Sequence, residues 1–137
     1  MQTIWLNLPV KDLEKSKAFF RNIGFRENPR HRNAAHVGSF LIGKDNFCLM
    51  LFPEDVFKGF AKSEVSDTNK GSEMLINIDA ETREEVDAMA ETVKNAGGKI
   101  ISNPGEAEGW MYAFGFEDPD GHRWCMLHMD MAKMPTN

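Results

Sequence analysis

The chain has 137 residues, of which 42% are hydrophobic and 27% are charged, and its formal net charge at pH 7 is -5. A chain of this size can bury a hydrophobic core as one domain without a disulfide or a structural metal. The acidic balance argues against nucleic acid as a partner, because nucleic-acid binding needs a basic face. No apolar run approaches the roughly 20 residues of a membrane span, and the N-terminus lacks the pattern of a secretory signal. We therefore expect a cytoplasmic protein with no membrane partner.

The first half of the chain predicts one strand, one helix and three more strands. Apolar and other residues alternate over residues 3–9, as in a strand with one packed face. Asp12 is suited to cap the helix that follows, and Gly24 to end it. Further strand-like stretches lie at residues 25–30, 35–42 and 46–52. This half reads as βαβββ.

The second half repeats this order. A strand pattern begins near Glu73, a helix is predicted at about residues 83–96, and strands are predicted at residues 99–103, 109–117 and 122–129. We place the two modules at about residues 1–58 and 72–131 of a single domain, with residues 59–71 as a polar linker. One helix cannot cover both faces of a four-stranded sheet. The predicted fold is therefore α+β, with two βαβββ modules whose curved sheets enclose a shared cavity.

Four segments of the chain carry a family likeness. Residues 7–20 (NLPVKDLEKSKAFF), followed by Ile23-Gly24-Phe25, are similar to the opening of glyoxalase-type proteins. Residues 109–112 (GWMY), leading to residues 116–124 (FEDPDGHRW), are similar to the closing segment. The chain thus resembles the vicinal-oxygen-chelate superfamily, which includes glyoxalases, bleomycin-resistance proteins and dioxygenases. The resemblance implies a glyoxalase-like fold and a homodimer.

The resemblance also implies four metal-ligand positions, one each on the first and last strand of both modules, which hold His or Glu in metal-dependent relatives. In this chain these positions fall on Trp5, Met50, Glu73 and Cys125. Hard divalent ions prefer oxygen and imidazole ligands, and zinc also accepts thiolate. Only Glu73 and Cys125 suit such an ion. We therefore expect no metal cofactor, with a divalent ion on Glu73 and Cys125 as the alternative.

The two cysteines, Cys48 and Cys125, both lie in apolar strand-like segments, so we expect free thiols and not a disulfide. None of His36, His122 and His128 has a partner at a recognised catalytic spacing. A catalytic residue is therefore not identified, and Glu73 is the best candidate for one.

Aromatic, Met and apolar side chains predict a binding site for a small organic ligand in the hollow. The residues expected to line it are Trp5, Asn7, Met50, Glu73, Leu75, Tyr112 and Cys125. The first hypothesis is a small-molecule-binding protein that resembles bleomycin-resistance proteins. The alternative is a metal-dependent lyase or isomerase resembling glyoxalase I, or a dioxygenase. The fold serves all of these activities, so it does not select the reaction or the ligand.

Overall fold

The computed structural model describes residues 1–136, which form two compact units, Met1–Asp67 and a second from Thr68 onward. The first unit consists of β1 (Trp5–Val10), α1 (Leu13–Asn22), β2 (Arg26–Glu27), β3 (Gly38–Ile42), β4 (Phe47–Pro53) and α2 (Glu54–Ala61). The second unit consists of β5 (Leu75–Asp79), α3 (Arg83–Asn95), β6 (Lys99–Ala107), β7 (Met111–Glu117) and β8 (Arg123–Met129). None of these helices is long and apolar enough to cross a bilayer.

Each unit contains one four-stranded mixed sheet, and the strand orders correspond. Sheet 1 has the order β1-β4-β3-β2 and sheet 2 the order β5-β8-β7-β6. In both, the first and last strands of the unit run parallel and the other pairs run antiparallel. The predicted α+β class and the repeat of two βαβββ modules are confirmed.

Side-chain capping defines the starts of α1 and α3. The Asp12 side chain accepts a hydrogen bond from the backbone N–H of Lys15, as predicted. Thr82 does the same for Glu85 at the start of α3, while the Glu85 carboxylate accepts from the N–H of Glu81. These bonds satisfy N–H groups that have no partner within a helix. The two helices therefore begin where short polar side chains precede an apolar periodic segment.

The helix faces of the two sheets form the cores. In sheet 1, Phe20 of α1 packs 5.8 Å, centroid to centroid, from Phe40 of β3. In sheet 2, α3 covers a face that includes Phe116 and Trp124, whose rings stack at 6.1 Å. Trp124 has no exposed surface. Burial of such side chains is the main source of stability for each unit.

Several predicted bounds differ from the structure, including the end of β6, which runs to Ala107 and not to residue 103. The stretch at residues 25–30 is a strand only over Arg26–Glu27, because Pro29 lacks an N–H and the Asn28 side chain accepts from Arg30 N, which starts a 3-10 turn. Helix α2 was not predicted. It begins in the first module and reaches into the predicted linker, residues 59–71.

The turn at Asp118-Pro119-Asp120-Gly121 is built on a buried carboxylate. Asp118 Oδ1 accepts from the N–H groups of Asp120 and His122 at 3.0 and 3.1 Å. Its Oδ2 accepts from the indole N–H of Trp124 at 3.1 Å. Burial raises the pKa of Asp118, while His122 and the N–H donors oppose that rise. This turn, which is part of the segment that carries the family likeness, therefore has a structural role: it connects β7 to β8.

Candidate functional site

Strand alternation separates the side chains of sheet 1 into two sets. In β1 and β4, Leu8, Leu49 and Leu51 are buried on the helix face. The intervening residues lie on the other face, which we call the second face of sheet 1. It carries Trp5, Asn7, Ser39, Leu41, Cys48 and Met50. Three predicted site residues, Trp5, Asn7 and Met50, thus share one surface.

Register brings these residues together on adjacent strands. Trp5 pairs with Cys48, and Asn7 pairs with Met50, along the parallel β1–β4 ladder. On the other side of β4, Ser39 also pairs with Met50. Trp5 is 55% exposed, which is unusual for so large an apolar side chain. The second face of sheet 1 therefore presents an accessible indole beside a flexible thioether.

A chain of polar contacts crosses this second face. Asn28 Nδ2 donates to Ser39 Oγ at 3.1 Å, and Ser39 Oγ lies 3.6 Å from Cys48 Sγ. The Cys48 thiol donates to Met50 Sδ at 3.5 Å. Sequence reasoning did not identify Asn28, Ser39 or Cys48 as site residues. The spacing of Cys48 two positions before Met50, on the same face of one strand, was the available signal.

We call the face of sheet 2 opposite its helix face the second face of sheet 2. It carries Leu75 and Cys125. Cys125 pairs with Asn77, and Leu75 pairs with Arg123. Burial raises the pKa of the Cys125 thiol. A thiol in this state is a poor nucleophile, because the thiolate is the reactive form. Cys125 therefore contributes apolar lining more readily than covalent chemistry.

Glu73 lies outside the strand on which we expected it. It is exposed and precedes the first residue of β5, Leu75, by two positions. The residue that the register places beside Cys125 is Asn77. The backbone pairing therefore does not bring Glu73 and Cys125 together as neighbours.

Tyr112 lies on the helix face of sheet 2, and our placement of this residue with Cys125 is corrected. Its hydroxyl donates to Asp87 Oδ1 of α3 at 2.7 Å, and the Arg83 guanidinium lies 5.2 Å from the ring centroid. The hydrogen bond to Asp87 raises the pKa of Tyr112. The residues of β7 that lie on the same face of sheet 2 as Cys125 are Met111, Ala113 and Gly115.

Comparison with known proteins identifies the family. The model of the Glyoxalase/Bleomycin resistance protein/Dioxygenase superfamily matches residues 3–126. The chain belongs to this superfamily. The resemblance inferred from the opening and closing segments is therefore confirmed. No curated protein matches the chain at a significant level.

Several solved structures share this fold. Hypothetical protein SA1046 from S. aureus is 32% identical, with a TM-score of 0.81 over 93% of this chain and 94% of that one. A glyoxalase/bleomycin resistance protein/dioxygenase family enzyme from Burkholderia phytofirmans PsJN is 22% identical, with a TM-score of 0.76 over 91% and 96%. The fosfomycin resistance protein FosX from Listeria monocytogenes is 21% identical, with a TM-score of 0.68 over 92% and 90%. At these last two identities, the likeness concerns the fold alone.

The residues present do not fit the hard divalent ion of metal-dependent superfamily members. Within residues 1–136, no three His, Cys, Asp or Glu side chains lie close enough to hold a metal ion. At the four ligand positions, Trp5 offers no lone pair and Met50 offers only a soft thioether. Glu73 and Cys125 are the remaining two, and the register does not pair them. A hard ion would therefore have few protein ligands.

Proposed function

We propose that this superfamily member binds a small organic ligand on the second face of sheet 1 and does so without a hard divalent ion. The observation that carries the proposal is the 55% exposed indole of Trp5 on a face that also presents Asn7 and Met50. An indole and a thioether offer flat, adaptable apolar contact, and an amide offers a donor and an acceptor that orient the ligand. This combination is typical of ligand sites.

Leu75 and Cys125 give the corresponding face of sheet 2 an apolar surface of its own, and we propose that this surface too can contact a small organic ligand. Glu73 stays the best candidate for an acid or base, since its exposed carboxylate lies two residues before Leu75, the first residue of β5. Tyr112 is left out, because it contacts α3. Both thiols are free within the described chain, which suits the reducing cytoplasm that we propose as the location.

Thermal unfolding in the presence of a panel of metabolites and antibiotics, with bleomycin and fosfomycin included, tests the proposal. A ligand at 100 times its Kd stabilises the folded state by about 2.7 kcal/mol. Trp5→Ala should abolish the shift produced by any hit. Met131→Ala, which removes an exposed apolar side chain elsewhere, should preserve it. A hit that survives Trp5→Ala would refute the assignment of this face.

Elemental analysis of the purified protein tests the second half of the proposal. We expect substoichiometric Zn, Mn, Ni and Fe. One hard divalent ion per chain would instead support a metal-dependent lyase or isomerase of the glyoxalase type, in which the ion polarises a substrate carbonyl.

We also propose a homodimer. Exposed apolar side chains lie at the end of β8 and beyond it, at Met129 and Met134. Met side chains adapt to an interface because they have three rotatable bonds, and symmetric pairing is the commonest oligomeric arrangement.

A further inference from the structure

Two sulfur atoms of different kinds meet on the second face of sheet 1. Cys48 and Met50 lie two residues apart on β4, so their side chains leave the sheet in the same direction. Cys48 Sγ and Met50 Sδ are 3.5 Å apart. Both residues are only half-buried, so an ion or small molecule can reach them from solvent.

The donor chemistry of this pair is soft. A thiolate and a thioether select monovalent copper over the hard ions that carboxylate and imidazole sites hold. Within residues 1–136, no carboxylate or imidazole group completes a hard-ion site here, and Asn28 and Ser39 supply only neutral polar atoms. The pair therefore selects among metal ions through the softness of its two sulfur ligands and not through the charge of the site.

The geometry permits two-coordinate binding. Metal–sulfur bonds of about 2.3 Å on opposite sides of an ion place the two sulfurs about 4.6 Å apart. Opening the present 3.5 Å contact to that separation, a change of about 1.1 Å, needs only side-chain rotation, and Met50 has three rotatable bonds. The backbone of β4, hydrogen-bonded to β1 and β3 on both sides, does not have to move.

A neighbouring hydroxyl is placed to support the thiolate. Ser39 Oγ lies 3.6 Å from Cys48 Sγ and itself accepts a hydrogen bond from Asn28 Nδ2. When an ion replaces the thiol proton, that proton leaves to solvent and the Ser39 hydroxyl can donate to the sulfur. The thioether of Met50 stays neutral and binds through a lone pair. One proton is released for each monovalent ion bound, and no redox change occurs.

We propose that Cys48 and Met50 form a binding site for one soft monovalent ion, Cu(I) in the cell. This site shares only the Met50 position with the divalent site of metal-dependent superfamily members, and it pairs Met50 with Cys48, two residues away on the same strand. It also does not depend on the organic ligand proposed above, so either proposal can fail alone.

Titration of the full-length reduced protein with Ag(I), a redox-inert analogue of Cu(I), and with Cu(I) against a competing chelator tests the site. We expect one ion per chain. Cys48→Ser should remove this site, and Met50→Leu should weaken it at least tenfold. The matched controls, Cys125→Ser and Met129→Leu, should change the affinity by less than twofold.

A second measurement on the unaltered protein covers the case in which a variant does not fold. Ag(I) should shift the methyl carbon resonance of Met50 selectively among the nine methionines. An unmoved Met50 resonance would overturn the proposal. So would full affinity in Met50→Leu, which would indicate a lone thiol, or loss of binding in Cys125→Ser. Displacement of the bound ion by an equal concentration of Zn²⁺ or Mn²⁺ would equally contradict it.

Discussion

Asp118→Asn is expected to destabilise the second unit even though the change is nearly isosteric. The two carboxylate oxygens of Asp118 accept three hydrogen bonds, from Asp120 N, His122 N and Trp124 Nε1. An amide has one acceptor oxygen. In either orientation of the Asn side chain, its NH₂ group would face an N–H donor.

The magnitude follows from the cost of leaving a buried donor facing another donor, which is about 1–3 kcal/mol. Asn also removes the buried charge, which relieves the desolvation that raises the pKa of Asp118. That gain does not restore the lost bond, because even a protonated carboxyl keeps an acceptor lone pair on each oxygen, whereas an amide nitrogen has none. We therefore expect net destabilisation in the lower half of this range.

Urea unfolding at pH 7 measures the effect, with an unchanged m-value as evidence that the same surface is exposed on unfolding. The control is a double-mutant cycle with Trp124→Phe, which removes the indole donor. Asp118→Asn should cost less in that background. An equal cost in both backgrounds, or no cost in the native one, would refute this account of the turn.

Three further predictions follow from the contacts of the second unit and from the proposed assembly. First, burial raises the pKa of Asp118. The stability that protonation of Asp118 contributes is therefore fully present below its ordinary pKa of 3.8 and is lost as pH rises through the raised pKa. The difference in unfolding free energy between wild type and Asp118→Asn should grow on acidification, and a flat difference would contradict this. Second, Gly121→Ala should lower the melting temperature, since Gly121 has φ +83° and an added Cβ would lie 2.5 Å from Thr68 Oγ1; Thr68→Ala in the same chain should recover only part of the loss, because the left-handed backbone still costs about 1 kcal/mol. Third, light scattering at micromolar concentration should give twice the chain mass of 15.5 kDa, and the monomer mass would exclude the homodimer.

Local sequence patterns determined most of the secondary structure of this protein. Alternation placed β1 and β5 within two residues of their observed bounds, and Asp12 marked the start of α1. These features are predictable because they arise from side-chain periodicity and from hydrogen bonds between residues three apart. The family, too, was recognisable from the opening and closing segments of the chain.

Tertiary packing decided the features that periodicity leaves open. Helix α2 contains Gly59 and has no side-chain hydrogen bond at its N-cap, so its propensity is weak. It is held by contacts with β1 and β4, including the Phe52–Phe60 ring contact at 5.3 Å. The face of Tyr112 depends on the register of β7, and an error of one residue reverses every side chain of a strand.

The candidate site shows the same division. The sequence by itself determined that Trp5, Asn7 and Met50 could share a face, because alternation within a strand is local. Only the tertiary structure decided that β1 pairs with β4 in a register that joins Trp5 to Cys48, and that Ser39 lies across β4 from Asn7. The pairing of β1 with β4 joins residues more than forty positions apart, and their alignment depends on which apolar faces pack together, which no local pattern encodes.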